Sequence, residues 1–289
     1  MDRVHAWNPF AKREAHSTVS INTYRVLTIA SWLLALIVSV YYVYNDPQDG
    51  HTIRRRIWDQ NDLHRTAFTL NSIIVDVYWA VLFVLQVGYV GHLFSKNADY
   101  VNAAASVGSH FILNNLLHFA FVMLFVRSHF IWAEVILIIN FFNLSSLYFR
   151  HNTYPRFIHL PVVSGPLAWT FVAIYWNGAM MVARPHSLVA RVFGNIFIWS
   201  LLAYGGFFIV VYKDYTMGFS LSVLAAAIGV GQFFDKLVAF QWIFAFTIMA
   251  VLFVSTLVIA VPAWTGREYG WLSRTRPSDQ ERAPLLGDN

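Results

Sequence analysis

His110, Asn114 and His118 recur at i, i+4 and i+8 in the run SHFILNNLLHFAFVMLFV, a spacing that sets all three on one helix face. The apolar segment that follows after a minimal loop carries Glu134 one turn in, then Asn140 and Asn143. An imidazole near a carboxylate is the equipment of general acid–base catalysis. His118 acting as base, oriented by Asp76 or Glu134, would describe an enzyme working on a lipid inside the membrane. A solitary embedded acid such as Glu134 would instead carry protons, although one carboxylate does not make a rotary-motor subunit. Metal chemistry has less support. Neither His-Glu-x-x-His nor Glu-x-x-His occurs, and His110 and His118 stand two turns apart. There is no Gly-x-Ser-x-Gly elbow and no phosphate-binding glycine loop. The chain contains no cysteine, which removes thiolate catalysis, disulfides and Cys-based metal sites. No catalytic residue, cofactor or metal site is assigned on these grounds.

The elements that position these groups are apolar helices. Of 289 residues, 57% are hydrophobic and 12% charged, against roughly a quarter charged in soluble domains. Mean hydropathy is +0.52. The apolar residues gather in runs of about 20, the length that crosses the hydrocarbon core. Continuous runs of this kind exclude a membrane β-barrel, whose strands alternate. The sequence therefore predicts an all-α, polytopic transmembrane helix bundle with short loops and disordered tails. About eight spans are expected, near 25–44, 70–93, 107–127, 130–149, 158–183, 189–212, 216–234 and 239–262. The transmembrane domain thus occupies 25–262, with an N-terminal tail over 1–24 and a C-terminal tail over 263–289. The seventh span is short and rich in Gly and Ala, which favours burial among other helices, and Gly229 and Gly231 would also loosen it. Pro161 and Pro166 should kink or delay the fifth.

Eight spans place both termini on one side. Twelve of the 20 Lys and Arg residues fall on that side and eight on the other, so the positive-inside tendency makes the tails cytosolic. The basic excess is spread over short loops, which argues for membrane topology rather than nucleic-acid binding; the bilayer is the expected partner. The run Arg54–Arg56 opposes this orientation. It lies in the one long loop, 46–68, where Ile53, Ile57 and Trp58 would share a face of a short helix lying at the interface. Such a helix either pins the loop to the bilayer or binds anionic head groups or substrates.

Embedded polar groups are distributed unevenly. Asp76, Glu134, Asn177, Arg191 and Asn195 lie toward the side away from the termini, together with Gln232, Asp235, Lys236 and Gln241, while His118 is near mid-membrane. The termini side shows only Gln86, His110, Asn114 and Asn143 at comparable depth. Ionisable groups in hydrocarbon cost several kcal/mol and mark pathways or sites by default. One expectation is a polar cavity around Asp76, His118, Glu134 and Arg191. The other is a set of static pairs, with Arg127 or Arg191 neutralising Glu134 or Asp76 between helices.

The tails carry two short peptides of trafficking type. Asn8-Pro9-Phe10 is a tripeptide read by endocytic adaptor modules, and Glu281-Arg-Ala-Pro-Leu285-Leu286 matches the acidic dileucine pattern of vacuolar and lysosomal sorting. Sorting adaptors would be their partners, and an endomembrane or vacuolar location is expected over the plasma membrane.

The stretch His159-Leu-Pro161-Val-Val-Ser-Gly-Pro166-Leu-Ala-Trp169-Thr-Phe-Val-Ala-Ile-Tyr-Trp176-Asn177-Gly178-Ala179 resembles a signature of a fungal multi-pass membrane family known only as a domain of unknown function. The resemblance runs through most spans and leaves the tails outside. It implies a fungal integral membrane protein and carries no catalytic residues with it. From the residues alone, the same stretch is a Pro-kinked helix ending in a polar Trp-Asn-Gly patch. Three functional readings stand at this point: a non-catalytic scaffold or sorted endomembrane protein, a transporter-like protein with a polar cavity on the non-cytosolic side, and a lipid-modifying enzyme.

Overall fold

The computed structural model describes residues 17–49, 54–150, 156–235 and 238–265. Asn8, Pro9, Phe10, Glu281, Leu285 and Leu286, the two trafficking peptides, lie outside the described residues, as does Lys236. Among the described residues eight helices are long and apolar enough to cross a membrane: Thr18–Tyr44, Ser72–His92, Ala98–Phe125, Phe130–Arg150, Phe157–Met180, Leu188–Tyr212, Tyr215–Asp235 and Gln241–Thr265. The protein is an integral, multi-pass, all-α bundle. The first and third helices begin well ahead of their apolar runs because Ser17 and Asn97 cap them, accepting from Ser20 N and Asp99 N. Each cap satisfies a backbone donor that the helix itself leaves open.

The fifth and seventh spans form the centre, with 78% and 67% of their most apolar windows buried, against 17% for the first. The seventh span's small residues do let neighbours come close, but they do not loosen it. The helix runs unbroken from Tyr215 to Asp235. A Cβ at Gly231 would stand 2.7 Å from the Thr69 carbonyl oxygen, so glycine there admits another stretch of backbone.

The fifth span breaks where its prolines require. A π-helical turn, Leu160–Ser164, joins a short helical start to Gly165–Met180. Gly165 N donates back to Leu160 O. The next bond of that pattern would need an N–H on residue 166, which is proline and has none. Gln86 supplies the missing donor, its Nε2 lying 3.1 Å from Pro161 O, and the Tyr78 hydroxyl donates to Gly165 O at 2.7 Å. Irregular backbone is tolerated at membrane depth when protein side chains satisfy it in this way.

The long loop departs furthest from expectation. Its helix, Ile57–Leu63, does not lie on the surface, because Gln60 and Asn61 are fully buried. The chain after it, Thr66 to Leu70, is buried as well. Three carbonyls of this re-entrant segment meet polar side chains, two from the bundle and one from the segment's own helix. Gln232 Nε2 donates to Thr66 O at 2.8 Å, Gln241 Nε2 to Ala67 O at 3.0 Å, and Asn61 Nδ2 to Leu70 O at 3.1 Å. Asn71 N reaches Ala227 O at 2.9 Å, and Arg65 pairs with Asp235. The segment therefore docks as part of the helix bundle.

Candidate functional site

The first and second spans stand apart, and the gap between them is a cavity of about 610 Å³. The third span supplies its floor through His118, Phe121 and Phe125, the fifth its back wall through Trp169 and Trp176, and the re-entrant helix its end through Ile57 and Trp58. Val40, Tyr44, Val77, Val84 and Val87 form the rim and are all exposed. In a membrane-spanning bundle that rim faces acyl chains, so the mouth opens sideways into the bilayer.

Asp76 and His118 interrupt an otherwise apolar lining. Both oxygens of the half-buried Asp76 carboxylate accept from the Trp58 indole, at 3.0 and 3.2 Å. Trp58 thereby fastens the loop helix to the second span. His118 Nε2 lies 2.9 Å from Ser39 Oγ. Ser39 already donates its hydroxyl proton to Ala35 O at 2.8 Å, so the ring donates from Nε2. Trp79 packs against the imidazole with ring centres 4.5 Å apart. Among the described residues no carboxylate contacts His118, so neither Asp76 nor Glu134 orients it as a base. Trp32, Trp79 and Trp169 also line the cavity, and their buried indole N–H groups have no hydrogen-bond partner among the described residues.

The remaining sequence candidates go elsewhere. Glu134 Oε2 accepts from Asn177 Nδ2 at 2.8 Å, and the same amide donates to Phe130 O. Asn195 donates to Ala239 O at 3.1 Å. Glu134, Asn177, Arg191 and Asn195 do not line the cavity. Arg127, a proposed partner for Glu134, is drawn instead to Asp49 at 2.9 Å, where Arg54 also pairs. The hydrogen bond from Arg127 holds the Asp49 carboxyl below its ordinary value. The face carrying His110 and Asn114 zips the third span to the fourth: His110 Nδ1 meets Asn143 Oδ1 at 2.8 Å, and Asn140 Nδ2 donates to Asn114 Oδ1 at 2.9 Å.

At the termini side the structure adds a cluster that the reading of embedded charge passed over. Asp214 sits between the sixth and seventh spans yet is only 9% exposed. Its Oδ1 caps the seventh span through Thr216 N and Met217 N, at 2.9 and 3.1 Å. Its Oδ2 receives the Tyr148 hydroxyl at 3.0 Å and His159 Nε2 at 2.9 Å. Asp214 ahead of Tyr-Thr-Met is a legible N-cap signal, but the partners from the fourth and fifth spans are not legible locally. Among the described residues no three His, Asp or Glu side chains gather as a metal-holding group.

Comparison with known proteins gives two matches. Residues 191–286 match the model of a family described as fungal protein of unknown function (DUF1774). That region covers the last three spans and part of the C-terminal tail, downstream of the His159–Ala179 stretch. An uncharacterized protein of Schizosaccharomyces pombe is 31% identical over 129 residues, 44% of this chain and 44% of that protein. The chain thus matches less than half the length of that relative. No solved structure matches. The similarities are fungal and of unknown function.

Proposed function

We propose that this protein binds one amphiphilic lipid, taken sideways from the bilayer into the cavity between the first and second spans. The observation that carries the reading is the cavity itself: about 610 Å³, apolar, and rimmed by exposed valines. Its size is that of sites which enclose a single small molecule. The few polar groups, Asp76 with Trp58 at one end and His118 with Ser39 deeper in, are placed to orient an occupant. This is the transporter-like reading narrowed to a lipid, with no bond-making step required.

The test fills the cavity without disturbing packing. Ala80 lines it and is exposed, so Ala80→Phe adds bulk where no protein atom must move. Native mass spectrometry of the purified wild type should show a bound lipid, and the folded variant should lose most of it. Equal lipid retention in the two proteins would sink the proposal.

The orientation that accompanies this reading places both tails in the cytosol, supported by the twelve-to-eight distribution of Lys and Arg among all 20. The cavity then lies toward the non-cytosolic leaflet. Protease added outside sealed right-side-out vesicles should leave tags at both termini intact; cleavage of both would invert the arrangement.

A further inference from the structure

Asp76 sets the chemical class of the occupant. We propose that the cavity selects a long-chain amphiphile with a cationic amine head, its ammonium on Asp76 and its tail along the second and third spans. The inference rests on the lipid-binding reading above and adds the head group to it.

Among the described residues Asp76 is the single carboxylate of the lining, and no Lys or Arg lines the cavity. A carboxylate offers about four acceptor positions, and the one Trp58 indole proton shared between its two oxygens leaves most of them open to a ligand's donors. The neighbouring cations have other partners: Arg127 is bonded to Asp49 and Arg56 to Asp59. A carboxylate facing an apolar cavity is costly unless a counter-charge meets it, and an ammonium with several N–H groups supplies both charge and donors. The walls beside it are aromatic. Trp58 and Trp176 have ring centres 6.0 Å apart, and Phe125 lies 4.5 Å from Trp176. Ring faces attract a cation and offer nothing to an anion.

Depth agrees with this assignment. Asp76 stands about one turn inside the start of the second span at Ser72, where a polar head belongs. From Asp76 to Val87 the same helix walls the cavity, a rise of roughly 16 Å, which accommodates most of a long alkyl tail. A phosphate or carboxylate head would meet Asp76 with like charge; a hydroxyl would gain a hydrogen bond but no charge pairing.

The experiment compares three 18-carbon probes with identical dibrominated tails: the amine, the alcohol and the carboxylic acid. Bromine on the tail quenches the fluorescence of the cavity tryptophans, so titration in detergent at neutral pH reads binding directly. The amine should bind at least about tenfold tighter than the alcohol, with the acid weakest. Asp76→Asn should remove that preference, bringing the amine's affinity down to that of the alcohol. Equal binding of all three heads by the wild type, or an amine preference that survives Asp76→Asn, would overturn the head-group assignment and leave the lipid-binding reading standing. Binding of none of the three would overturn both. The wild-type ranking decides the question by itself should Asp76→Asn fail to fold.

Discussion

Asp214→Ala should destabilise the bundle by about 3–5 kcal/mol, the usual cost of removing one member of a buried charged network. Five groups depend on that carboxylate, the Thr216 hydroxyl at 2.6 Å from Oδ1 among them. Thr216 N and Met217 N lose the acceptor that opens the seventh span, and the Tyr148 hydroxyl and His159 Nε2 lose theirs in the fourth and fifth. The expected reading is a large fall in the thermal unfolding midpoint in detergent, with His159→Phe also destabilising but less. Asp214→Asn keeps an oxygen for the cap and removes the charge, so it should fall between the wild type and Asp214→Ala. A pH series adds a second check. Burial alone would raise the Asp214 carboxyl, but the bond and charge of His159, with the bonds from Thr216 and Met217, hold it below its ordinary value of 3.8. A depressed carboxyl stabilises the folded form only while ionised. Its contribution is therefore complete above about pH 4 and is lost as pH falls through the lower folded value. Wild-type stability should decline in that acid window, and the part due to Asp214 should be missing from Asp214→Asn. A wild type and Asp214→Asn with identical acid profiles would show that the carboxylate does not hold these spans together.

Asn61→Leu is the second large expected loss, at least about 3 kcal/mol. Leucine matches the volume but cannot replace three buried hydrogen bonds. Asn61 Oδ1 accepts from Leu70 N at 3.1 Å and from the Trp176 indole at 2.9 Å, and its Nδ2 donates to Leu70 O. Each of those partners is buried, so each would be left without water to replace the bond. The re-entrant segment should come loose before the bundle unfolds. Hydrogen exchange at residues 64–71 should therefore accelerate more than at the centre of the fifth span. Uniform acceleration across both regions would mean that the segment is not a separately docked unit. Trp58 rides on the same short helix, so its bond to Asp76 should weaken as well, and amphiphile binding should fall together with stability.

What the sequence determined by itself is the series of membrane crossings. Runs of about 20 apolar residues are a local property, because the hydrocarbon thickness is fixed and a helix satisfies its own backbone. The break at Pro161 and Pro166 is local too, since a missing N–H acts within one turn of its own residue. So is the shared face of His110, Asn114 and His118, set by helical periodicity. The tertiary structure decided which polar groups meet. Lipid tails are as apolar as leucine, so no hydrophobic pattern tells a helix which of its faces turns toward a neighbour. Asp76 and Glu134 look alike in sequence, yet one faces a cavity beneath Trp58 and the other accepts from Asn177. Gln232 and Gln241 hold the backbone of a loop that precedes them by 166 and 174 residues, a separation no local spacing can report. The 46–68 loop has the composition of a surface helix, and only the match between the carbonyls of Thr66 and Ala67 and those distant amides makes that stretch part of the interior.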